Sequence, residues 1–327
     1  MKRNIAILGS GKFALALVRG FLKSGTPPQS ILVIGREKSN LTNFEAIQVG
    51  TSKSVEDAVD IPHILVVVKP EGIGPQMKRI KEAGLKQTII CLSSGANIHD
   101  CAAFLGRPDS DIIIGTGNTN VEHCTGIICL SGTSNKNNQL INAKTLFSPI
   151  ATVVFEKQED ILKSIATIGA WNAFDALALE LIGKKETVQK SVTFDRWLTS
   201  IESWLASDTV FETKVVDPHK ELLGKYLITK NDVLSRVFGY SKQQAQKRSL
   251  ETFESCVSAL RAIDNIDVDK IKLHIKKVAT EGGCTEKGLL SLGSIDALLS
   301  FEQLSNALHL VYERTKRFED EAKQSFE

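Results

Sequence analysis

The chain has 327 residues, enough for about two domains of ~150 residues each, which excludes a peptide, a stapled miniprotein or a disordered tail. Hydrophobic residues make up 42%, and 23 glycines bring the apolar share into the globular range of ~45–50%. Forty basic residues against 38 acidic ones leave a net charge of +2, too little to build the positive field that nucleic acid requires.

Through about residue 155, short apolar runs alternate with helical patterns, the signature of parallel βαβ units. Strands are expected at Asn4–Leu8, Ile31–Ile34, Ile64–Val68, Thr88–Leu92, Asp111–Ile114, Gly126–Leu130 and Thr152–Phe155. Phe13–Ser24, Ile73–Ala83 and Ile98–Leu105 read as crossover helices. The run from Ile64 to Val68 has no polar alternation, as a strand covered on both faces should look. This predicts an α/β fold: a Rossmann-type doubly wound sheet over 1–157, followed by an all-helical domain over 158–327.

In that second domain, helices are expected at Asp160–Leu181, Phe194–Leu205, Lys242–Ile263, Val268–Val278 and Glu302–Ala322. Between about 184 and 232 the composition turns polar and charged. Within this stretch, Phe194, Trp197, Leu198, Ile201, Trp204 and Leu205 recur at helical spacing, and this stripe is expected to pack on its own domain, with a partner-binding face as the alternative.

Six cysteines without a CxxC pair fit a reducing cytoplasm. Six scattered histidines indicate no metal site, and no run approaches 18 apolar residues, so no membrane span is expected.

The strongest local signal is Gly9-Ser10-Gly11-Lys12-Phe13-Ala14, a G-x-G-x-x-A placed directly after a strand and opening a helix. Gly9 permits the tight turn, Gly11 lets backbone approach a pyrophosphate, and Ala14 keeps helix and strand close. The helix start supplies unpaired N–H groups and a positive dipole end for the anion. A dinucleotide is the expected ligand, with an ordinary turn as the alternative.

After the second strand, Ile34-Gly35-Arg36-Glu37-Lys38 lacks a carboxylate where NAD-binding proteins hold the ribose 2′-hydroxyl. Arg36 and Lys38 suit a 2′-phosphate instead, so NADP(H) is preferred over NAD(H). The alternative makes these solvated loop charges, with Glu37 as a displaced acid.

The glycine turn, together with Val68-Lys69-Pro70, Gly95, Asn118-Thr119, Gly282-Gly283-Cys284-Thr285 and Tyr312-Glu313-Arg314-Thr315-Lys316, resembles the pyrroline-5-carboxylate reductases in order over nearly the whole chain. Gly239-Tyr240-Ser241 through Ala259 also looks like that family's dimerisation helix. The resemblance implies a homodimer or higher homo-oligomer joined through the helical domain, and hydride transfer from NADPH to a cyclic imine, giving proline. It implies that Val68, Lys69 and Pro70 line the cofactor and that Asn118 touches nicotinamide and substrate. It further implies that Gly282, Gly283, Cys284 and Thr285 cradle the substrate carboxylate and imine. Thr285 and Asn118 are the candidate catalytic residues. Two glycines at a helix start suit an anion, and the Thr285 hydroxyl can donate or accept near a ring nitrogen; read without the resemblance, the turn is an ordinary helix cap.

The match departs where the family carries Ser-Gly-Ser-Gly-Pro-Ala-Tyr, since this chain has Gly169-Ala170-Trp171-Asn172-Ala173-Phe174. The family's Met-Pro-Asn-Thr-Pro is reduced to Thr116-Gly117-Asn118-Thr119-Asn120, and the polar stretch at about 184–232 is extra relative to the family, a lid, an oligomer contact or, by default, a surface elaboration. Pocket volume and hydrogen bonding must therefore differ at the substrate. Three functions follow: reduction of 1-pyrroline-5-carboxylate, reduction or dehydrogenation of another small imino or oxo acid, or non-catalytic NADP-dependent regulation.

Overall fold

In a computed structural model, the described residues are all but 1–2, 134–137, 191–192, 208–209, 211–216, 280–283 and 293, with the side chains of 38–39, 185–190, 218, 284 and 287 also outside the description. The chain divides into two compact units, Met1–Ile165 joined by Thr315–Glu327, and Ala166–Arg314. Whereas 158–327 reads from sequence as one domain, residues from Thr315 onward thus belong with the first unit.

The first unit is built on eight strands: β1 (Ile5–Leu8), β2 (Ile31–Ile34), β3 (Gly50–Ser52), β4 (His63–Val66), β5 (Ile89–Cys91), β6 (Ile112–Gly117), β7 (Gly126–Ser131) and β8 (Ala151–Phe155). They lie in the order β3-β2-β1-β4-β5-β6-β7-β8. All neighbours are parallel except β6 and β7, where Ile114 faces Ser131 and Gly117 faces Ile128. A single 3-10 turn, Thr119–His123, joins those two strands and is too short for a parallel crossover. The chain order reverses between β1 and β4, and in open α/β sheets the crevice beyond the strand ends at such a point takes ligands.

Helices α1 (Lys12–Lys23), α2 (Lys38–Glu45), α3 (Ile73–Glu82), α4 (Ile98–Leu105) and α5 (Asn138–Phe147) belong to this unit. α1 buries Ala14, Leu17, Val18 and Phe21, and Gly20 allows the Val121 carbonyl to sit where a side chain would be, 2.1 Å from an added Cβ. α4 matches its expected bounds because Asn97 accepts the Asp100 N–H at its start and Gly106 ends it at φ +66. β3, α2 and α5 were absent from the sequence reading. β3 is a three-residue, half-buried edge strand without a bulky side chain, and among the described side chains of α2 only Leu41 and Phe44 are buried.

After α6 (Ile161–Ser164) the backbone widens into a π-helical stretch, Ile165–Ala170. The second unit then contains α7 (Trp171–Lys190), α8 (Phe194–Leu205), α9 (Pro218–Arg236), α10 (Lys242–Arg261), α11 (Val268–Val278), α12 (Cys284–Leu289), α13 (Ile295–Leu299) and the first part of α14 (Phe301–Gln324). α10 opens with a reciprocal capping box between Ser241 and Gln244. Among the described residues, one helical stretch, Gln158–Lys184, is long and apolar enough to cross a membrane, but 83% of its apolar window is buried inside the protein.

The expected surface insertion requires correction. α8 and α9 are part of the core of this unit: Phe194, Trp197, Ile201 and Trp204 from one, and Leu223, Tyr226, Leu227, Val233 and Leu234 from the other, pack in the same cluster as Trp171 and Phe253. The apolar spacing of α9 is interrupted in the sequence by Lys230, which is itself fully buried.

Candidate functional site

Gly9 leaves β1 at φ +131, and a side chain there would meet the carbonyl oxygen of Val67 at 2.0 Å. Only glycine satisfies both demands. Gly11 differs: its φ is −83, and an added Cβ would find nothing within 4 Å. The fold itself does not require glycine at 11, so room is left there for something outside the chain. Gly11 is also the N-cap of α1, no side chain caps this helix, and its first turn carries no acid. Ser10 stands against Gly35, Ala14 is fully buried, Lys12 is exposed and Phe13 half-buried with its ring edge against Gly117. The bend thus presents backbone amides and a positive helix end at the sheet's switch point.

Arg36 lies exposed two residues beyond β2. Glu37 accepts a 3.4 Å bond from Asn40 Nδ2. Lys38 opens α2, with its side chain outside the described residues. Across the end of β3, Lys53, Ser54, Val55, Glu56, Arg79 and Glu82 line a cavity of about 350 Å³. Burial lowers the pKa of Arg79, the attraction of Glu56 opposes that, and repulsion from Arg36 adds to it. Two guanidinium groups are therefore near enough to repel one another beside β2.

Val68 donates its N–H to Ser93 Oγ at 3.0 Å, Lys69 is exposed, and Pro70 is buried at the start of a 3-10 turn. These three follow β4 after Val67. Asn118 sits at the end of β6 and is 2% exposed. Its own N–H donates to Ile127 O at 3.2 Å, and its Oδ1 accepts the Ile127 N–H at 3.1 Å, so this side chain fastens β6 to β7.

In the second unit, Thr285 occupies the first turn of α12 and is 8% exposed. Gly282, Gly283 and the Cys284 side chain lie outside the described residues. A turn further along α12, Gly288 abuts the Phe174 ring, 2.7 Å from an added Cβ, and Trp171 meets Phe174 edge-on at 5.6 Å. Thr167 Oγ1 and Trp171 Nε1 are buried without a hydrogen-bond partner among the described residues.

Sequence reasoning missed a buried polar cluster in this unit. Lys230 Nζ donates to both Asp175 oxygens at 2.8 Å, to Thr252 Oγ1 at 2.6 Å and to Ser249 O at 3.2 Å, while Tyr226 donates to Asp175 Oδ1 at 2.8 Å. The ammonium also lies 4.7 Å from the Trp171 ring centroid. Burial raises the Asp175 pKa against the pull of Lys230, and lowers that of Lys230 against the pull of Asp175. The available signal was a charged pair set at helical spacing inside two apolar stripes.

Burial holds the Cys91 thiol at about 11 and raises Cys101 and Cys256 as well, so these are packing groups and not nucleophiles. Among the described residues, no three His, Cys, Asp or Glu side chains gather as a metal site would require.

Residues 4–95 match the family model described as NADP oxidoreductase coenzyme F420-dependent. Pyrroline-5-carboxylate reductase 2 of Dictyostelium discoideum is 30% identical over 139 residues, 40% of this chain and 46% of that protein. The matched stretch therefore spans about half the length of this curated relative. Among solved structures, a pyrroline-5-carboxylate reductase from Coxiella burnetii superposes with a TM-score of 0.55 at 19% identity, covering 97% of this chain and 99% of that one. The pyrroline carboxylate reductase of Plasmodium falciparum, solved with NADP bound, gives 0.53 at 18% identity over 97% and 98%. The strand order and the helical second unit agree with these likenesses, and the chain has the fold of these pyrroline-5-carboxylate reductases.

Proposed function

We propose that the protein is an NADPH-dependent reductase of a small cyclic imine carboxylate, with 1-pyrroline-5-carboxylate as substrate and L-proline as product. The observation that supports the reading is the bend at Gly9–Gly11, where the fold requires Gly9 and an added Cβ at Gly11 would meet nothing within 4 Å, which leaves room for a pyrophosphate. When bound, NADPH supplies a hydride to the imine carbon while the ring nitrogen keeps a proton. The chain's own task is then positioning and field, without a strong side-chain acid. The α1 amides hold the pyrophosphate, and Val68, Lys69 and Pro70 border the dinucleotide. The Thr285 hydroxyl, with Gly282, Gly283 and Cys284, orients the carboxylate and the ring nitrogen. Asn118 serves here through the strand ends it ties together.

Preference for NADPH over NADH is supported by Arg36, exposed just past β2, where a guanidinium suits a 2′-phosphate and no carboxylate stands directly after the strand. Arg36→Ala is expected to raise the KM for NADPH about tenfold or more and leave that for NADH unchanged, since a bond to a charged group contributes about 1.5–3 kcal/mol. Steady-state rates with the two cofactors check this.

The protein is further proposed to work as a homodimer through its helical unit, where Leu273, Leu290 and Leu310 stay exposed, and to reside in the cytoplasm, in keeping with the absence of disulfides among the described cysteines.

The deciding experiment follows NADPH oxidation with 1-pyrroline-5-carboxylate. Wild type should turn over, and Thr285→Ala should lose roughly a hundredfold in kcat at unchanged NADPH affinity. Equal turnover by both clears Thr285 of a role. One observation favours a second reading: Trp171 and Phe174 fill space beside α12 that smaller side chains would leave open. Faster turnover with another imino or 2-oxo acid would establish that alternative. NADPH binding without turnover of any such acid would establish a non-catalytic, regulatory role.

A further inference from the structure

Two glycines of the first unit are shaped by residues far along the chain. A side chain at Gly74 would lie 1.8 Å from the carbonyl oxygen of Ser325, and one at Gly95, where φ is +84, would lie 2.1 Å from that of Phe318. No side chain adjoining α3 in sequence caps its first turn. Instead the Gly74 N–H donates to Ser325 Oγ at 2.8 Å, across 251 residues of sequence, and the Ser325 hydroxyl donates onward to Ala322 O at 2.6 Å. Next to it, the Phe326 ring meets that of Phe104 at 5.2 Å.

The two glycines bracket the loop that continues β4. On one side Val68 donates its N–H to Ser93, two residues before Gly95. On the other, Gly72 stands against the Val68 side chain, with 3.3 Å between an added Cβ and Val68 Cβ. The far end of α14 therefore grips both the start of α3 and the loop after β5, and Val68-Lys69-Pro70 is suspended between the two grips.

We propose that Ser325 is a positioning residue for the dinucleotide: by capping α3 it fixes the Val68–Pro70 loop in the shape that receives the cofactor. This rests on the dinucleotide reading of the first unit. An uncapped first turn frees a backbone donor and loosens the segment that enters it. The loop would then pay its ordering entropy on binding.

The test titrates NADPH into the full chain as wild type, Ser325→Ala, Ser325→Thr and Phe326→Ala, with circular dichroism melts of each. Ser325→Ala should weaken binding about tenfold, or ~1.4 kcal/mol. Its KM for NADPH should rise with little change in kcat. Ser325→Thr keeps a hydroxyl and should restore affinity, and Phe326→Ala should weaken binding in the same direction. If Phe326→Ala melts near the assay temperature, the two Ser325 variants decide alone. A lowered Tm with wild-type affinity in folded Ser325→Ala would mean that the contact only stabilises the fold, and would overturn the proposal while leaving the cofactor reading intact. A wild type that binds neither NADPH nor NADH would overturn both.

Discussion

Replacing Gly11 with alanine is expected to leave the thermal midpoint at its wild-type value and to weaken NADPH binding by about tenfold or more, ~1.4 kcal/mol per decade. The backbone there has φ −83 and ψ −177, which any residue adopts, and a methyl group would touch nothing in the protein. The methyl would project from the N-cap of α1, into the space that an approaching pyrophosphate needs. Gly9→Ala should fail differently. Its methyl would collide with the Val67 carbonyl at 2.0 Å in a left-handed backbone, so β1 and β4 must part or the bend must re-form. A loss of about 3 kcal/mol or more is expected, visible as a fall in Tm before any ligand is added. Calorimetric titration beside thermal melts separates the two, and a Gly11→Ala protein that binds NADPH as wild type does would remove the bend as the dinucleotide site.

The second large effect is expected at Lys230. Lys230→Met removes a fully buried cation and leaves the Asp175 carboxylate without its main partner, a change that typically costs about 3–5 kcal/mol. The pH dependence has a definite sign. Burial raises the folded-state pKa of Asp175, and deleting Lys230 removes the attraction that opposes the rise. A carboxyl with a raised folded pKa gives its full stability below the unfolded value of about 4, and loses it as the pH climbs through the folded value. The deficit of Lys230→Met against wild type should therefore be smallest near pH 4 and grow toward neutrality, as read from urea midpoints. Adding Asp175→Leu should recover much of the loss and flatten this slope, because a buried ion pair rarely outperforms apolar packing of similar volume. A flat deficit in the single variant would show that Asp175 stays solvated.

The elements that were legible in the sequence share one property: their signal is local. Ile31–Ile34 is a run of apolar residues, and Ile98–Leu105 is bracketed by its own Asn97 cap and Gly106 stop. The glycine bend was readable because the strand before it and the helix after it are both strong. What stayed hidden depends on partners distant in sequence. The β7 direction follows from the brevity of the turn before it, and the membership of α9 in the core is concealed by Lys230, whose charge is answered 55 residues earlier by Asp175. Asn118 is the instructive residue of the site: the resemblance implies contact with nicotinamide and substrate, while the bond that its Oδ1 accepts from the Ile127 backbone has no signal in the sequence. The substrate side was the least legible, because Trp171 and Phe174 alter a pocket whose shape no spacing rule encodes.

That Thr315–Glu327 folds with the first unit has a consequence for biosynthesis. Translation is vectorial, and domains commonly fold as they emerge, at about 5–20 residues per second. Here the whole of Ala166–Arg314 leaves the ribosome before the strap that locks Gly74 and Gly95 exists. The half made first is thus the half finished last, and a nascent chain halted before Thr315 should leave the segments at Gly74 and Gly95 unbraced although α7 to α13 have already been made.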